Sequence, residues 1–226
     1  MPATTPVRRA RLQRLGVYLA GCVVFAAGAT LFIHSAYGVD PLDTLALGLL
    51  EHVPLTIGIA QALVAVVCIA LWSVWNRRRP VLSPFVTFLL CGSLIDLMRL
   101  TDTSALPRPV QLAIGVLLCA YGSALIIMSG IGIRAMDLVV ITMTQRWRWP
   151  FWVAKASVEA VLLAVGWVLG GPVGVGTLCF LVFVDGLIQP FMAFNRRALR
   201  LENRGLVLAG SHAAAPAPSA RIRGTA

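Results

Sequence analysis

Long apolar runs ended by glycine, proline or arginine make up most of the chain. A helix rises about 1.5 Å per residue, so crossing roughly 30 Å of hydrocarbon takes about 20 residues. The run over 15–37 has that length and breaks at Gly38. Runs over 54–75 and 82–100 follow, then 109–131 and 150–169. A last run extends from the turn Gly170-Gly171-Pro172 to about Phe194. Two apolar segments, 41–52 and 135–147, are too short to cross. Asp40-Pro41 opens the first of them as a helix start, with an acidic cap and proline at the first helical position. Such segments belong at the interface or dip into the protein interior, because irregular backbone at membrane depth must be shielded from lipid. The pattern predicts an all-α polytopic membrane protein with six transmembrane helices.

The two short segments occupy equivalent places in a repeat. Residues 21–43 recur as 115–137 without a gap, matching at Gly21/Gly115, Ala26/Ala120, Gly28/Gly122, Leu31/Leu125, Ile33/Ile127, Ser35/Ser129, Gly38/Gly132 and Asp43/Asp137. Four of these eight pairs are Gly or Asp, which shared apolar composition does not readily produce. At the same offset IAQALV (59–64) faces VAKASV (153–158), setting Gln61 opposite Lys155. Removing five residues near Arg77 then brings Ile95-Asp96 onto Val184-Asp185. Each repeat holds three spans, an odd number, so the second enters the membrane upside down. An inverted 3+3 repeat is expected, with a short interfacial or re-entrant helix after the first span of each half.

Composition agrees with a membrane setting: 58% apolar residues, mean hydropathy +0.85 and only 12% charged residues exclude an ordinary soluble domain. The net charge of +10 could suggest nucleic acid, but the arginines lie between apolar spans rather than along one accessible face. They serve orientation instead. A cytoplasmic N-terminus places Arg8, Arg9, Arg11, Arg14, the cluster 77–79, Arg134, Arg146, Arg148, Arg196, Arg197, Arg200 and Arg204 inside, leaving Arg99 and Arg108 near the outer face. The expected layout is a basic cytoplasmic arm (1–14), a three-helix repeat (15–100), an outer linker (101–108) with a polar turn at Asp102, the inverted repeat (109–194) and a cytoplasmic, largely disordered tail (195–226). The five cysteines are scattered through apolar stretches and read as packing residues. Trp72, Trp75, Trp147, Trp149, Trp152 and Trp167 read as interfacial anchors, and the glycines at 21, 28, 115 and 122 as sites of close helix packing.

Ionisable residues inside apolar spans are costly, and they are the candidate functional groups. Asp43 and Asp137 follow the helix breaks, where they either cap the short helices or mark cation or substrate sites. Asp96 has Arg99 three residues on as a local partner. Asp185 has none, and reads as a coupling or gating carboxylate or as an interhelical hydrogen-bonding group. Lys155 and Glu159 stand four apart on one helix face, while their counterparts Gln61 and Ala65 are uncharged. They are an anchor for an anionic solute, a built-in ammonium in a coupling-ion site, or an intrahelical salt bridge. His34 and His52 read as pH sensors or, more often for a lone helix-end histidine, as solvated or hydrogen-bonded residues, with His52 paired to Glu51. No nucleotide loop, zinc motif or catalytic triad is present, so no enzyme, cofactor or metal is expected.

The run GVDPLDTLALGL (38–49), GSLIDL (92–97) and the second-half echo resemble the bacterial YczE/YyaS/YitT family of integral membrane proteins. In that family a Gly-x-x-Pro-(Trp)-Asp motif follows the first helix; Gly38, Pro41 and Asp43 match it, and Leu42 stands where Trp is frequent. The resemblance implies a membrane protein for which a transport role is generally supposed. The expected function is a small secondary transporter or facilitator of the inner membrane, with alternating access between inverted halves about a site near Gln61, Lys155 and Glu159. The rival is a non-transporting accessory or scaffold protein. Expected partners are the lipid bilayer and a small solute or ion, with a homo-oligomer left open and no nucleic acid.

Overall fold

The computed structural model describes residues 6–77, 79–80, 82–101, 105–132 and 134–198; the side chains of 6–10, 151, 152 and 198 are left aside. The polar turn at Asp102, Arg78, and the part of the expected 195–226 tail beyond residue 198 lie outside these residues. The described chain is helical throughout, with no strand. Its helices are α1 (Pro6–Ser35), α2 (Pro41–Leu50), α3 (Ile57–Asn76), α4 (Ser83–Met98), α5 (Arg108–Ser129), α6 (Ala135–Trp147), α7 (Phe151–Val168), α8 (Val175–Cys179) and α9 (Asp185–Ala198). A π-helical turn, Phe180–Val184, joins α8 to α9 so that the three run as one rod.

Among the described residues, four helices are long and apolar enough to cross a bilayer: Arg11–Ser35, Ile57–Asn76, Arg108–Ser129 and Val175–Arg197. The basic arm is not separate from the first run, since α1 begins at Pro6. Arginine is a good helix former, so nothing in that arm stops the helix from extending.

Helix starts recur at the spacing of the sequence repeat. Pro41 and Ala135 open the short helices, and Ile57 and Phe151 the helices after them; both pairs are 94 residues apart. The breaks are built alike. Ser35 Oγ donates to Phe32 O and accepts from Tyr37 N, while Ser129 Oγ donates to Ile126 O and accepts from Ile131 N. The residue after each serine, Ala36 (φ 58°) or Gly130 (φ 69°), turns left-handed and ends the helix.

Helix α1 packs most extensively on α5. A Cβ on Gly28 would lie 2.7 Å from Cys119 N, and one on Gly122 would lie 2.5 Å from Phe25 N. Gly21 meets Ile126 while Gly28 meets Cys119, so the two helices run antiparallel. Small residues let backbones approach where lipid supplies no hydrophobic drive for helices to associate. The expected glycine face is therefore the central seam. Around it α3 packs on α4, α2 on α7, α3 on α6 and α5 on α9.

Helix α2 is enclosed by the rest of the protein: Pro41–Ala46 and Gly48 are buried. It belongs with α3, α6 and α7 in one apolar core, where Leu42 and Leu45 meet Val64, Ile69, Val139 and Leu162. A second core gathers Phe32, Val39, Ile57, Ile95, Cys119 and Phe180 along the α1–α5 seam. Trp72 is buried, which corrects its reading as an interfacial anchor. Trp75, Trp147 and Trp149 do gather at the ends of α3 and α6, with ring centroids 5.2 and 5.1 Å apart.

The two hairpins that end the halves differ. Helix α3 lies tight on α4, and a Cβ on Gly92 would come 2.5 Å from the Gly58 Cα. Helix α7 has no comparable packed interface with α8 or α9 among the described residues. At the repeat positions of Gly58 and Gly92 stand Trp152 and Leu181, so the glycine contact that closes the first hairpin has no equivalent in the second.

Candidate functional site

The gap between α7 and the α8–α9 rod is a cavity of about 530 Å³. Five charged side chains line it: Arg134 and Asp137 from the start of α6, Lys155 and Glu159 from α7, and Asp185 at the head of α9. Its apolar walls include Ile127, Leu163, Leu181, Ile188 and Met192. Lys155 reaches both neighbours, with Nζ 2.9 Å from Glu159 Oε1 and 2.5 Å from Asp185 Oδ2. Only 14% of the lysine side chain and 6% of the glutamate side chain are exposed, so solvent screens these pairs poorly. Arg134 and Asp137 make a looser pair, Nε to Oδ2 at 3.9 Å.

Asp185 is therefore not without a partner, as its own helix suggested; the partner comes from α7. Local backbone sets its position. The π turn Phe180–Val184 ends at Asp185, and Pro190, five residues on, withholds a backbone N–H inside α9. Single π turns are frequent at functional sites, because the inserted residue rotates the side chains beyond it about the helix axis.

Asp43, Gln61 and Asp96 do not line this cavity. Asp43 is buried and does not cap α2. Asp40 does, accepting from Asp43 N at 2.9 Å, with Pro41 following it. Asp43 Oδ1 accepts from Gln61 Nε2 at 2.5 Å, joining α2 to α3. Asp137 does not cap α6 either. Arg134 stands at the N-cap there, without a side-chain cap bond, and pairs with Asp137 instead. The capping reading thus fails for both aspartates: the capping position lies three residues earlier, and in the second half it holds an arginine. Asp96 is engaged by backbone rather than by Arg99. Its carboxylate accepts from Ile57 N at 3.0 Å and Gly58 N at 2.9 Å, closing the start of α3. His52 Nε2 meets Leu169 O at 3.1 Å, so its contact is across the fold rather than with Glu51.

The seven sequence candidates thus form two groups. Lys155, Glu159, Asp185 and Asp137 share the large cavity, while Asp43, Gln61 and Asp96 belong to the closed half. A second cavity, about 30 Å³, lies between the groups and has Asp40, Gln61, Thr87, Ser123 and Arg134 in its wall. That is room for a water molecule. Burial, the largest cause, raises the pKa of Asp43 well above the usual carboxylate range, and the Asp40 charge adds to it; the Gln61 bond opposes both. Asp40 is raised mainly by burial too.

Two polar residues escaped the sequence reading. Arg134 served there only to set orientation, yet it lines both cavities. The signal was available, since the repeat sets Arg134 opposite Asp40 and so reverses the charge. Asn195 is fully buried, with no hydrogen-bond partner for its side-chain amide among the described residues. It follows Ile188 and Met192 on one face of α9, and nothing in its apolar neighbourhood marked it.

Comparison with known proteins gives the family. The chain is 26% identical over 181 residues to the uncharacterized membrane protein YczE of Bacillus subtilis (strain 168), covering 77% of this chain and 82% of that one. It is 25% identical over 193 residues to the uncharacterized protein YyaS of the same organism, covering 83% and 96%. An uncharacterized protein of Haemophilus influenzae is 24% identical over 193 residues, covering 84% and 88%. No solved structure matches. The resemblance to YczE and YyaS read from the 38–49 motif therefore stands. Residues 12–193 match the model of the family of unknown function DUF6198, and the chain belongs to that family as an all-helical membrane protein.

Proposed function

We propose that this protein is a small secondary transporter or facilitator of the bacterial inner membrane, with six spans in an inverted 3+3 repeat and both termini cytoplasmic. One observation carries the reading: a 530 Å³ cavity with five charged side chains lies in the open hairpin of one half, while the matching hairpin of the other half is closed. Alternating access needs such inequality, because inverted halves take different conformations around one site. The antiparallel α1–α5 seam and the helix starts 94 residues apart support the repeat. Helices α4 and α7, with 16 and 18 residues, complete six spans with ends near the interfaces. In this orientation the cavity faces the cytoplasm, on the side of Arg146 and Arg148.

The test is flux through purified protein in liposomes. Metabolite uptake is followed by mass spectrometry, and proton leak with a pH-sensitive dye. Uptake above empty liposomes that falls about tenfold in Asp185→Asn, with the unfolding midpoint little changed, supports transport; tenfold corresponds to about 1.4 kcal/mol. The second reading is a non-transporting accessory protein, favoured by the pairing of Lys155 with Glu159 and Asp185, which ties α7 to α9. Liposomes that move nothing, with one stable partner co-purifying, would establish it instead.

A further inference from the structure

The charge inventory of the large cavity does not balance. Arg134 and Lys155 are positive and Asp137, Glu159 and Asp185 negative, an excess of one negative charge among side chains that are mostly buried. Net charge away from water is costly at membrane depth, so a counter-charge is called for. The shortage has a location. Lys155 serves two carboxylates with one ammonium, and Asp185 Oδ1 is left buried without a hydrogen-bond partner among the described residues.

Size and lining narrow what can supply it. The described residues hold no cluster of three or more His, Cys, Asp or Glu placed to grip a metal ion. The cavity volume is more than ten times the roughly 30 Å³ that one water occupies in the liquid, so a small inorganic ion would share it with water and leave its apolar walls unused. The Ile127, Leu163, Leu181, Ile188 and Met192 walls favour an organic body. An anion would deepen the excess.

Resting on the reading of this cavity as a solute chamber, we infer that its solute is a small organic monocation, a primary amine with an apolar body, whose ammonium pairs with Asp185 beside Lys155. Lys155 is then a tethered competitor. Its Nζ occupies part of the site that the solute ammonium needs, whereas the first half carries neutral Gln61 at the equivalent position.

Butylammonium is the probe, with butyrate and 1-butanol as isosteric controls, added to the full-length protein in detergent at fixed ionic strength. Butylammonium should raise the unfolding midpoint by about 2 °C or more at saturation, with the controls inert. Asp185→Asn should abolish the shift; if that variant does not fold, Glu159→Gln takes its place and should weaken binding at least threefold. Lys155→Gln should strengthen butylammonium binding at least threefold. That increase separates a competing lysine from a structural one or from an anion anchor. Stabilisation by butyrate, no response to butylammonium between about pH 6 and 9, or weaker amine binding in Lys155→Gln would overturn the inference, and the second result would assign the missing charge to a proton on a carboxyl. Butylammonium binding without flux of any solute in liposomes would sink the transport reading alone. Flux inhibited by butyrate and not by butylammonium would sink the cation alone.

Discussion

Ala36 and Asp43 lie seven residues apart at the first helix break and carry different costs. Ala36 takes φ 58°, where the equivalent break has Gly130. A β-carbon in the left-handed region costs on the order of 1 kcal/mol. Ala36→Gly should therefore stabilise the protein by up to about 1 kcal/mol, partly reduced by the greater freedom of glycine in the unfolded chain, and raise the unfolding midpoint in detergent. Asp43 bears on pH. Its folded pKa is raised above the unfolded value, chiefly by burial, so the folded state binds the proton more tightly. The stabilisation is present below the unfolded pKa of about 4 and is lost as pH rises through the raised folded pKa. Asp43→Asn keeps an acceptor for Gln61 Nε2 without the charge. Its unfolding midpoint should fall less than wild type as pH rises from 5 to 8, and a parallel fall in both would refute the assignment.

At the scale of elements, glycine seams decide which helices touch. Gly122 faces the backbone of Phe25 so closely that any β-carbon displaces α1 from α5. Gly122→Val should cost about 2 kcal/mol by overpacking, read as a lower unfolding midpoint. Gly58 and Gly92 lock α3 to α4 in the same way, and Asp96 closes the start of α3 with two backbone bonds. The second hairpin has Trp152 and Leu181 at the glycine positions, and Asp185 is drawn to Lys155. One duplicated pattern thus yields a sealed hairpin and an open one.

For the whole molecule, the number of crossing helices is the property to measure. Single-cysteine variants of a cysteine-free background, labelled in intact cells with a membrane-impermeant maleimide, would give it. With six spans, Arg79→Cys and Arg108→Cys flank a crossing α4, so Arg108→Cys labels from outside and Arg79→Cys only after permeabilisation. If α4 does not cross, both positions label from the same side. Arg148→Cys and Gly170→Cys apply the same test to α7.

The sequence by itself determined the membrane class, the helix order and nearly all helix boundaries, because apolar run length and Gly/Pro breaks are local signals governed by bilayer thickness and backbone sterics. It also determined the glycine face that became the α1–α5 seam, since spacing along one helix fixes which residues share a face. It could not determine partners across helices. Asp185 had none on its own helix and found Lys155 on another; Asp43 was read either as a cap or as a cation or substrate site and is bound by Gln61; Asp96 was expected beside Arg99 and closes α3. Only the tertiary structure decided these pairings and brought Arg134 between the cavities, because they depend on how helices distant in sequence dock. Docking is set by the fit of their surfaces, not by any spacing that can be read along the chain.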